Sequence, residues 1–340
     1  MRYDPRLSGR SGVPRRALAG IALASLATRS WAQTKTADRI QSLGFLGQTS
    51  PADFTRQTES LLQGLRELGY VEGGNLVIEY RWAERKLDRL PALAAELVAA
   101  KVDVIVTHGS PGSRAAKQAT SDIPIVIAAV GDPIASGVVA SLSRPGGNVT
   151  GLVLQEFETT VTWFELLKQV VPTVSVVGWV DVPNIERPDV AAAQQQKEDE
   201  AASSRGLSVV RVIVERADDL PRAFDYLVER RAQGVVVPNS SLLNPFGSQI
   251  ADLAVRHRLP AIGALVFSRA GGLLGYGPDN TDMYRQAAGY VDRILKGAKP
   301  GDLAMEGPAK FQLIANAKTA RAMGVTLPPA LVARANEVIE

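Results

Sequence analysis

Two stretches of the sequence combine residue types that bind opposite charges, and each follows a run of apolar residues. The first, "GSPGSRAAK", places Ser110, Gly112 and Ser113 at the start of an expected helix, and the second, "VGDPIASG", contains Asp132. The unpaired backbone N–H groups at a helix start favour an anion, whereas a carboxylate can pair with an ammonium group. Together the two stretches predict a site for a zwitterion such as an amino acid.

Both stretches also have a purely structural interpretation. Ser110 or Ser113 can cap the first helix, and Asp132 can cap a helix that begins near Pro133 or Ala135. The first stretch lacks the lysine of a P-loop and the glycine spacing of a dinucleotide-binding turn, so nucleotide binding is disfavoured. Binding and capping therefore remain open alternatives for both stretches.

Further candidates lie where other expected strands end. In open parallel sheets, ligands bind beyond the carboxyl ends of the strands, where loops lead into helices. Phe157 and Tyr276 could cover an apolar ligand side chain near these ends, or pack in the core. The polar and aromatic candidates that complete the expected site are Gln48, Thr49, Phe157, Asn184, Asn239 and Tyr276.

The sequence carries few groups suited to catalysis or metal binding. It has no cysteine and two histidines. His108 has no acidic partner at the spacing of a metal site, and His257 is expected at a solvated helix end. It contains no G-x-S-x-G elbow and no S-x-x-K acylation motif. The acidic runs "DDL" and "KEDE" are expected on exposed helix surfaces. We therefore predict a protein without enzymatic activity, metal or cofactor.

Short apolar runs alternate with amphipathic segments along the chain. Runs that are apolar on both faces and separated by helices are typical of parallel sheets covered on both sides. The pattern restarts after a crossing at "QEFETT", so we predict an α/β protein with two such lobes around a cleft. The first lobe is expected to span residues 38–155 with 281–300 returning to it, and the second 156–280 with 308–340. A short helix is expected near "SGVVASLS".

The first 32 residues have the three parts of a secretory signal peptide. Arg15 and Arg16 end a basic segment, "ALAGIALASLA" is apolar, and Ser30 and Ala32 fit the small-x-small rule for cleavage. The apolar segment is too short to span a bilayer, so we expect cleavage near Ala32 and export, by the general or the twin-arginine route. Six arginines and one aspartate give this segment a charge of +5, which leaves about −2 of the total +3 for the remainder. Nucleic-acid binding is therefore not expected.

The chain resembles the ABC-transporter substrate-binding proteins of the tryptophan/tyrosine type over essentially all of residues 39–340. The resemblance is carried by "GLRELGYVEGGNLVIEYRWAE", by the run from "LPALAAELVAAK" through "GSPGSRAAK" and "VGDPIASG" to "NVTGL", and by the segment from "GGLLGYGPDN" to "ANEVIE". It implies the type I periplasmic-binding-protein fold, in which two flavodoxin-like lobes are joined by a hinge. It also implies ligand contacts by Ser110, Gly112, Ser113 and Asp132.

The resemblance further implies a periplasmic protein that binds a small molecule and delivers it to an ABC permease with its ATPase subunit. Characterised relatives bind aromatic amino acids, so the expected ligand is amino-acid-like, with an aromatic side chain as one candidate. Asn184 lies in "VDVPNIERPD", where many relatives carry a loop rich in asparagine and proline. The same fold also serves receptors, so a ligand-sensing domain that feeds a signalling receptor is the alternative.

Overall fold

The computed structural model describes residues 40–183, 188–240 and 242–340 of the chain. Residues 40–340 form one compact unit. The expected signal peptide, residues 1–32, and the candidate Asn184 lie outside the described residues. Within the described part, none of the helices is both long enough and apolar enough to cross a membrane.

The first half of the described chain alternates strands and helices around one parallel sheet. In chain order its elements are β1 (Gln41–Gly47), α1 (Thr55–Glu67), β2 (Leu76–Trp82), α2 (Leu90–Ala99), β3 (Val104–Thr107), α3 (Gly109–Ala119), β4 (Ile125–Val130) and β5 (Val149–Val153). The strands lie in the order β2-β1-β3-β4-β5, and every neighbouring pair is parallel. All residues of β3, β4 and β5 are buried, as expected where helices cover both faces of a sheet.

The second half builds a second sheet. Its elements are α4 (Glu156–Val170), β6 (Val176–Asp181), α5 (Pro188–Ser203), β7 (Ser208–Ile213), α6 (Leu220–Glu229), β8 (Gly234–Val237), α7 (Gly247–Arg256), β9 (Ala261–Gly263), α8 (Leu265–Arg269), β10 (Leu274–Pro278), α9 (Asn280–Leu295), β11 (Phe311–Asn316), α10 (Ala317–Met323), α11 (Pro329–Arg334) and β12 (Glu337–Ile339). The strand order is β12-β11-β10-β9-β8-β6-β7. The predicted α/β architecture of two sheets dominated by parallel strands is therefore confirmed.

Helix α9 packs on the first sheet, although it follows a strand of the second. Its residues Met283, Tyr284 and Ala287 belong to one buried cluster with Leu43 of β1 and Val126 of β4. We call the first sheet with α1 to α3 and α9 the first lobe, and the second sheet with the remaining helices the second lobe. The residue bounds that the sequence suggested for the lobes remain predictions.

The stretch "SGVVASLS" forms turns, so the short helix expected there is wrong. Val138 and Val139 are buried, and both backbone N–H groups donate to the Pro133 carbonyl, at 2.9 and 3.1 Å. The Lys117 ammonium group donates to the carbonyls of Gly137 and Val138 at 3.0 and 2.7 Å. Because a helix would use such carbonyls for its own hydrogen bonds, these contacts favour turns.

The second sheet is less regular than the sequence indicated. Strand β11 runs antiparallel to β10, with Tyr276 opposite Leu313, so the sheet is not wholly parallel. Helix α8 and strand β12 are additional elements of five and three residues. Elements this short contain too few residues to show a hydrophobic period, which explains why the sequence pattern did not predict them.

The close packing of α1 on α9 depends on Gly64. A Cβ atom built on Gly64 would lie 2.6 Å from the Arg285 carbonyl oxygen and 2.8 Å from the Ala288 Cβ. We therefore expect Gly64→Ala to push the two helices apart and to lower the free energy of unfolding by about 1–3 kcal/mol, as overpacked contacts do. Urea-induced unfolding followed by circular dichroism measures this change.

Gly289→Ala, on α9 itself, is the matched control. Apart from its chain neighbours and the nearby backbone of α9, no atom of the described residues lies within 4 Å of a Cβ atom built on Gly289. The higher helix propensity of alanine should then raise the stability, by up to about 1 kcal/mol. If both substitutions changed the stability in the same direction and by the same amount, the importance of close packing at Gly64 would be refuted.

Candidate functional site

A cleft of about 640 Å³ lies at the carboxyl ends of strands from both lobes. Its wall in the first lobe comes from the segments after β1, β3 and β4, and its wall in the second lobe from those after β6, β8, β9 and β10. This edge is where open parallel sheets bind their ligands, and the volume is typical of a small-molecule site. The cleft is therefore the candidate functional site.

The start of α3 forms one part of the first-lobe wall. The helix begins at Gly109, whose φ of +61° suits glycine, and the preceding His108 does not cap it with its side chain. Gln48 packs against Gly109, and its Nε2 donates to the His108 carbonyl at 2.6 Å. Gly109, Ser110 and Pro111 all line the cleft. The helix start thus presents the positive end of its dipole to the cleft, which favours an anion.

His108 contributes packing to this wall and carries no charge near neutral pH. Its side chain is only 5% exposed, and its ring stacks on Phe54 with the two centroids 4.3 Å apart. The Gln48 backbone N–H donates to its Nε2 at 3.4 Å. Burial lowers the pKa of His108 to about 3, so the imidazole is neutral.

Asp132 lies in the loop after β4, and β4 is the neighbour of β3 in the sheet. Its Oδ1 accepts hydrogen bonds from the N–H groups of Ile134 and Ala135 at 3.1 and 2.8 Å. One carboxylate oxygen therefore closes a turn. The structural alternative for Asp132 thus holds for this oxygen, although the residue closes a turn and does not cap a helix. The other oxygen, Oδ2, has no hydrogen-bond partner among the described residues, and Asp132 lines the cleft.

The side chain of Glu156 lies beside Asp132, although the two residues belong to different elements. Glu156 is the first residue of α4, and a Cβ atom built on Gly131 would collide with its carboxylate oxygens. The Glu156 carboxylate therefore covers the backbone of the residue that precedes Asp132. Within the described part of the chain, no cation or hydrogen-bond donor is paired with it.

Three other acids act on Glu156. Burial, together with the negative charges of Glu198, Asp132 and Asp181, raises the pKa of Glu156 to about 7. Part of the Glu156 surface is exposed, but that surface faces the cleft, where the surrounding protein still removes solvation. Because its pKa is about 7, Glu156 gains or loses a proton near neutral pH.

Among the described residues, no three histidine, aspartate or glutamate side chains are close enough to hold a metal ion.

In the second lobe, Arg211 supports the acidic wall of the cleft. Its guanidinium pairs with Glu198 at 2.8 Å and with Asp199 at 2.6 Å, and it lies 5.7 Å from the centroid of the Trp179 ring. Glu198 belongs to "KEDE" but is only 5% exposed, so the prediction of an exposed surface is wrong at this position. The strand β7 supplies the cation that makes this burial possible.

Aromatic residues and amides form the rest of the second-lobe wall. Trp163 Nε1 donates to the Tyr276 carbonyl at 2.8 Å, which ties α4 to β10. The Tyr276 ring stacks on Phe311 with the centroids 5.7 Å apart. Asn239 Oδ1 accepts a hydrogen bond from Asn244 Nδ2 at 3.3 Å. This combination of apolar surface with a few polar groups is typical of small-molecule pockets.

The structure brings five of the sequence candidates together in the cleft. They come from both lobes and follow the expected strand ends, as the rule for open sheets requires. Contact with a ligand remains a proposal for each of them. These five residues are Gln48, Ser110, Asp132, Asn239 and Tyr276.

Gly112 and Ser113 are not among the residues that line the cleft. The Ser113 hydroxyl lies inside α3 and donates to the Gly109 carbonyl at 2.6 Å. A Cβ atom on Gly112 would lie 2.5 Å from Thr107 Oγ1, so this glycine allows α3 to pack closely on β3. Because α3 begins before both residues, Ser113 does not serve as its cap either.

Thr49 and Phe157 also lie outside the cleft wall. Thr49 is buried, and its hydroxyl has no hydrogen-bond partner among the described residues. Phe157 is 46% exposed, because the first turn of α4 directs Glu156 into the cleft and the next residue away from it. The site proposed below therefore includes neither residue.

Sequence reasoning missed several polar residues of the cleft, among them Ser136, Glu156 and Asp181. Glu156 follows β5 and Asp181 is the last residue of β6, so the rule of strand ends could have found both. The sequence pattern of "QEFETT" indicates only a crossing between lobes. The loop containing Ser136 was recognised, but the burial of this side chain depends on the folded loop and has no signal in the sequence.

Comparison with known proteins identifies related chains. The sequence model of a family described as ABC transporter substrate binding protein matches residues 51–339. The chain is also similar to a protein named tyrosine-binding protein from Clostridioides difficile (strain R20291). The two are 25% identical over 270 residues, which cover 78% of this chain and 75% of that protein.

Solved structures show the same fold. A conserved domain protein from Vibrio cholerae has a TM-score of 0.81 and 27% sequence identity, over 88% of this chain and 99% of that one. An ABC domain from Streptococcus pneumonia, solved in complex with L-Trp, has a TM-score of 0.80 and 24% identity, with the same coverage of 88% and 99%. These likenesses confirm the expected type I periplasmic-binding-protein fold.

Removing the charge of Glu156 should stabilise the unliganded protein above neutral pH. Folding raises the pKa of Glu156 from 4.5 to about 7, so between these two pH values the folded protein holds a proton that the unfolded chain has already lost. The stability that depends on this proton is complete below pH 4.5 and is lost as the pH rises through 7. We expect Glu156→Gln to raise the free energy of unfolding at pH 8 by about 1–3 kcal/mol more than at pH 5.

Glu158→Gln is the matched control, since Glu158 is an exposed acid in the same first turn of α4. It removes the same charge without removing a buried one, so its effect on stability should stay within about 0.5 kcal/mol. Chemical unfolding of the wild type and both variants at pH 5 and pH 8 measures the difference. An equal effect of the two substitutions would rule out burial as the cause.

Proposed function

Because the chain belongs to the ABC transporter substrate binding protein family, we propose that it captures a small zwitterionic ligand in the cleft between its lobes for an ABC importer. This family consists of solute-binding proteins and is not a class of enzymes. The proposed ligand resembles an amino acid, and its binding is reversible. The closed, liganded form is the one that the permease would recognise.

The adjacency of β3 and β4 is the observation that carries this proposal. The two strands pair in parallel, with Ile105 opposite Ile125, so the segments that follow them leave the sheet at the same edge. One segment is the start of α3, which favours a carboxylate, and the other contains Asp132, which favours an ammonium group. Adjacent strands lie about 4.8 Å apart, a spacing that suits the two ends of an amino acid.

The remainder of the cleft supports a ligand with a substantial side chain. Trp163, Trp179 and Tyr276 line the second-lobe wall and can cover apolar or aromatic groups. The C. difficile relative is named a tyrosine-binding protein, and the S. pneumonia structure contains L-Trp. Aromatic amino acids are therefore the first ligands to test. The proposed contacts in the cleft are Gln48, Ser110, Asp132, Asn239 and Tyr276.

A contact between the lobes supports a closed form around the ligand. The Arg85 guanidinium of the first lobe lies 5.2 Å from the centroid of the Phe246 ring in the second. Arg85 also pairs with Asp53 at 3.4 Å, which helps to orient it. A cation–π contact of this kind contributes about 0.5–1 kcal/mol at an exposed site, enough to favour closure without preventing release.

Substrate-binding proteins of this family are extracellular or periplasmic, and they act with a permease and an ATPase subunit. We propose that residues 1–32 direct export and are cleaved near Ala32, which would leave the binding protein in the periplasm. Delivery of ligand to the permease then explains the need for two lobes, because opening of the cleft releases the ligand at the membrane.

We expect at least one of the twenty L-amino acids to stabilise the protein against heat, and Asp132 to be required for this effect. A ligand at 100 times its dissociation constant adds about 2.7 kcal/mol to the stability of the folded form. Asp132→Asn keeps the oxygen that closes the turn but removes the charge, so it should weaken binding by about tenfold or more. A thermal-shift screen followed by calorimetric titration measures both effects.

Asp132→Ala separates binding from turn formation. It removes the turn oxygen as well, so it should also lower the stability of the unliganded protein by about 1 kcal/mol, whereas Asp132→Asn should change it little. Absence of a shift with every amino acid would refute the ligand class. Wild-type affinity in Asp132→Asn would refute the role of Asp132, and chemical conversion of the ligand would refute the absence of enzymatic activity.

A further inference from the structure

Glu156 is an acid of the cleft that has no role in the function proposed so far. Its carboxylate lies against the Gly131 backbone, next to Asp132, and lines the cleft. No cation or donor is paired with it within the described residues. A carboxylate with reduced access to water requires a cation or a hydrogen-bond donor as its partner. A ligand bound in the cleft can supply that partner.

A second polar group without a partner lies on the same loop. Ser136 is 3% exposed and lines the cleft, and its Oγ has no hydrogen-bond partner among the described residues. Its backbone N–H donates to the Asp132 carbonyl at 3.0 Å, so the turn fixes this serine near Asp132. Buried polar side chains in native proteins are nearly always hydrogen-bonded, which points to a bound group at this position.

The chemistry of these groups matches a primary ammonium group. Asp132 Oδ2, the Glu156 carboxylate and Ser136 Oγ each offer an acceptor. A primary ammonium group has three N–H donors and no acceptor, so it can satisfy all three. A carboxylate would be repelled here, and an N-methylated amine would leave acceptors unpaired.

We propose that Asp132, Glu156 and Ser136 together hold the primary ammonium group of the ligand, and that Glu156 releases its proton as this group enters. The proposal rests on the proposed function, because it concerns the ammonium end of the same ligand. The O–H bond of the Glu156 carboxyl group breaks, and its proton passes to the solvent. The resulting carboxylate accepts a hydrogen bond from the ammonium group, and no other bond changes.

The charges around Glu156 explain why a proton is present to be released. Asp132 acts from the loop after β4, Asp181 from the end of β6, and Glu198 from α5, and all three raise the pKa of Glu156. Arg211 is committed to its ion pair with Glu198, at 2.8 Å. The start of α4 favours the ionised form, but burial and the three acids outweigh it. Arg56, Arg114 and Arg269 also line the cleft, but they are not among the groups that shift the pKa of Glu156. The ligand cation supplies a positive charge at Glu156 itself.

The proposal predicts a specific dependence of affinity on pH. If only the ionised form of Glu156 binds the ammonium group, a pKa of about 7 makes binding about tenfold tighter at pH 8 than at pH 6. His108, with a pKa of about 3, remains neutral over this range. Up to one proton should be released on binding at pH 6, which calorimetry detects by comparing buffers with different enthalpies of ionisation.

Glu156→Gln is the decisive variant, with Glu158→Gln as the control. At pH 8, Glu156→Gln should weaken binding about 10- to 100-fold, and it should abolish both the pH dependence and the proton release. Ser136→Ala should weaken binding less and should leave the pH dependence intact.

The ligands to be tested are the twenty L-amino acids, tyramine and 3-phenylpropionate. Tyramine retains only the ammonium end of an amino acid, and 3-phenylpropionate retains only the carboxylate end.

The possible results separate this inference from the proposed function. An amino acid that binds the wild type and Glu156→Gln equally, without pH dependence, overturns the inference and leaves the proposed function intact. If no amino acid binds, the proposed function fails. Binding of tyramine that depends on Glu156 would then still support the ammonium subsite, and its absence would overturn the subsite as well.

Discussion

A carboxylate that is partly removed from water needs a positive partner, and this requirement governs the cleft. The second lobe meets it for Glu198, which pairs with Arg211 at 2.8 Å. The requirement is not met for Glu156, at the start of α4, where burial and three neighbouring acids raise the pKa to about 7. An unpaired negative charge on Glu156 destabilises the unliganded protein. A ligand cation that pairs with this carboxylate explains why an acid occupies the position.

The scaffold makes this arrangement possible by bringing distant segments to one edge. Pairing of β3 with β4 brings the start of α3 next to the Asp132 loop, and the crossing after β5 brings Glu156 onto Gly131. Close backbone approaches are needed at both places. Gly109 accommodates the Gln48 side chain, and Gly131 leaves room for the Glu156 carboxylate. The polarity of the cleft therefore follows from topology together with a few glycines.

The sequence was sufficient to predict the architecture and part of the site. Strands apolar on both faces, alternating with amphipathic helices, predicted two α/β lobes because such strands can only be buried between helices. The rule of strand ends found Asp132 and Ser110, since each follows an expected strand directly. It failed for Ser113, because the hydroxyl of a residue one turn into a helix can bond back to the preceding turn, as it does with the Gly109 carbonyl.

Other features depend on contacts that no local pattern encodes. The proximity of Glu156 to Asp132 arises where two elements meet, and the burial of Glu198 requires Arg211 from another strand. The turns at "SGVVASLS" form because Lys117, one helix earlier, occupies the loop carbonyls.

The orientation of the bound ligand decides whether the two ends of an amino acid bind as proposed. A crystal structure with the amino acid that gives the largest thermal shift would show it. We expect the ammonium group between Asp132 and Glu156 and the carboxylate at the start of α3. A ligand bound in the opposite orientation, or bound away from Asp132 and Glu156, would contradict it.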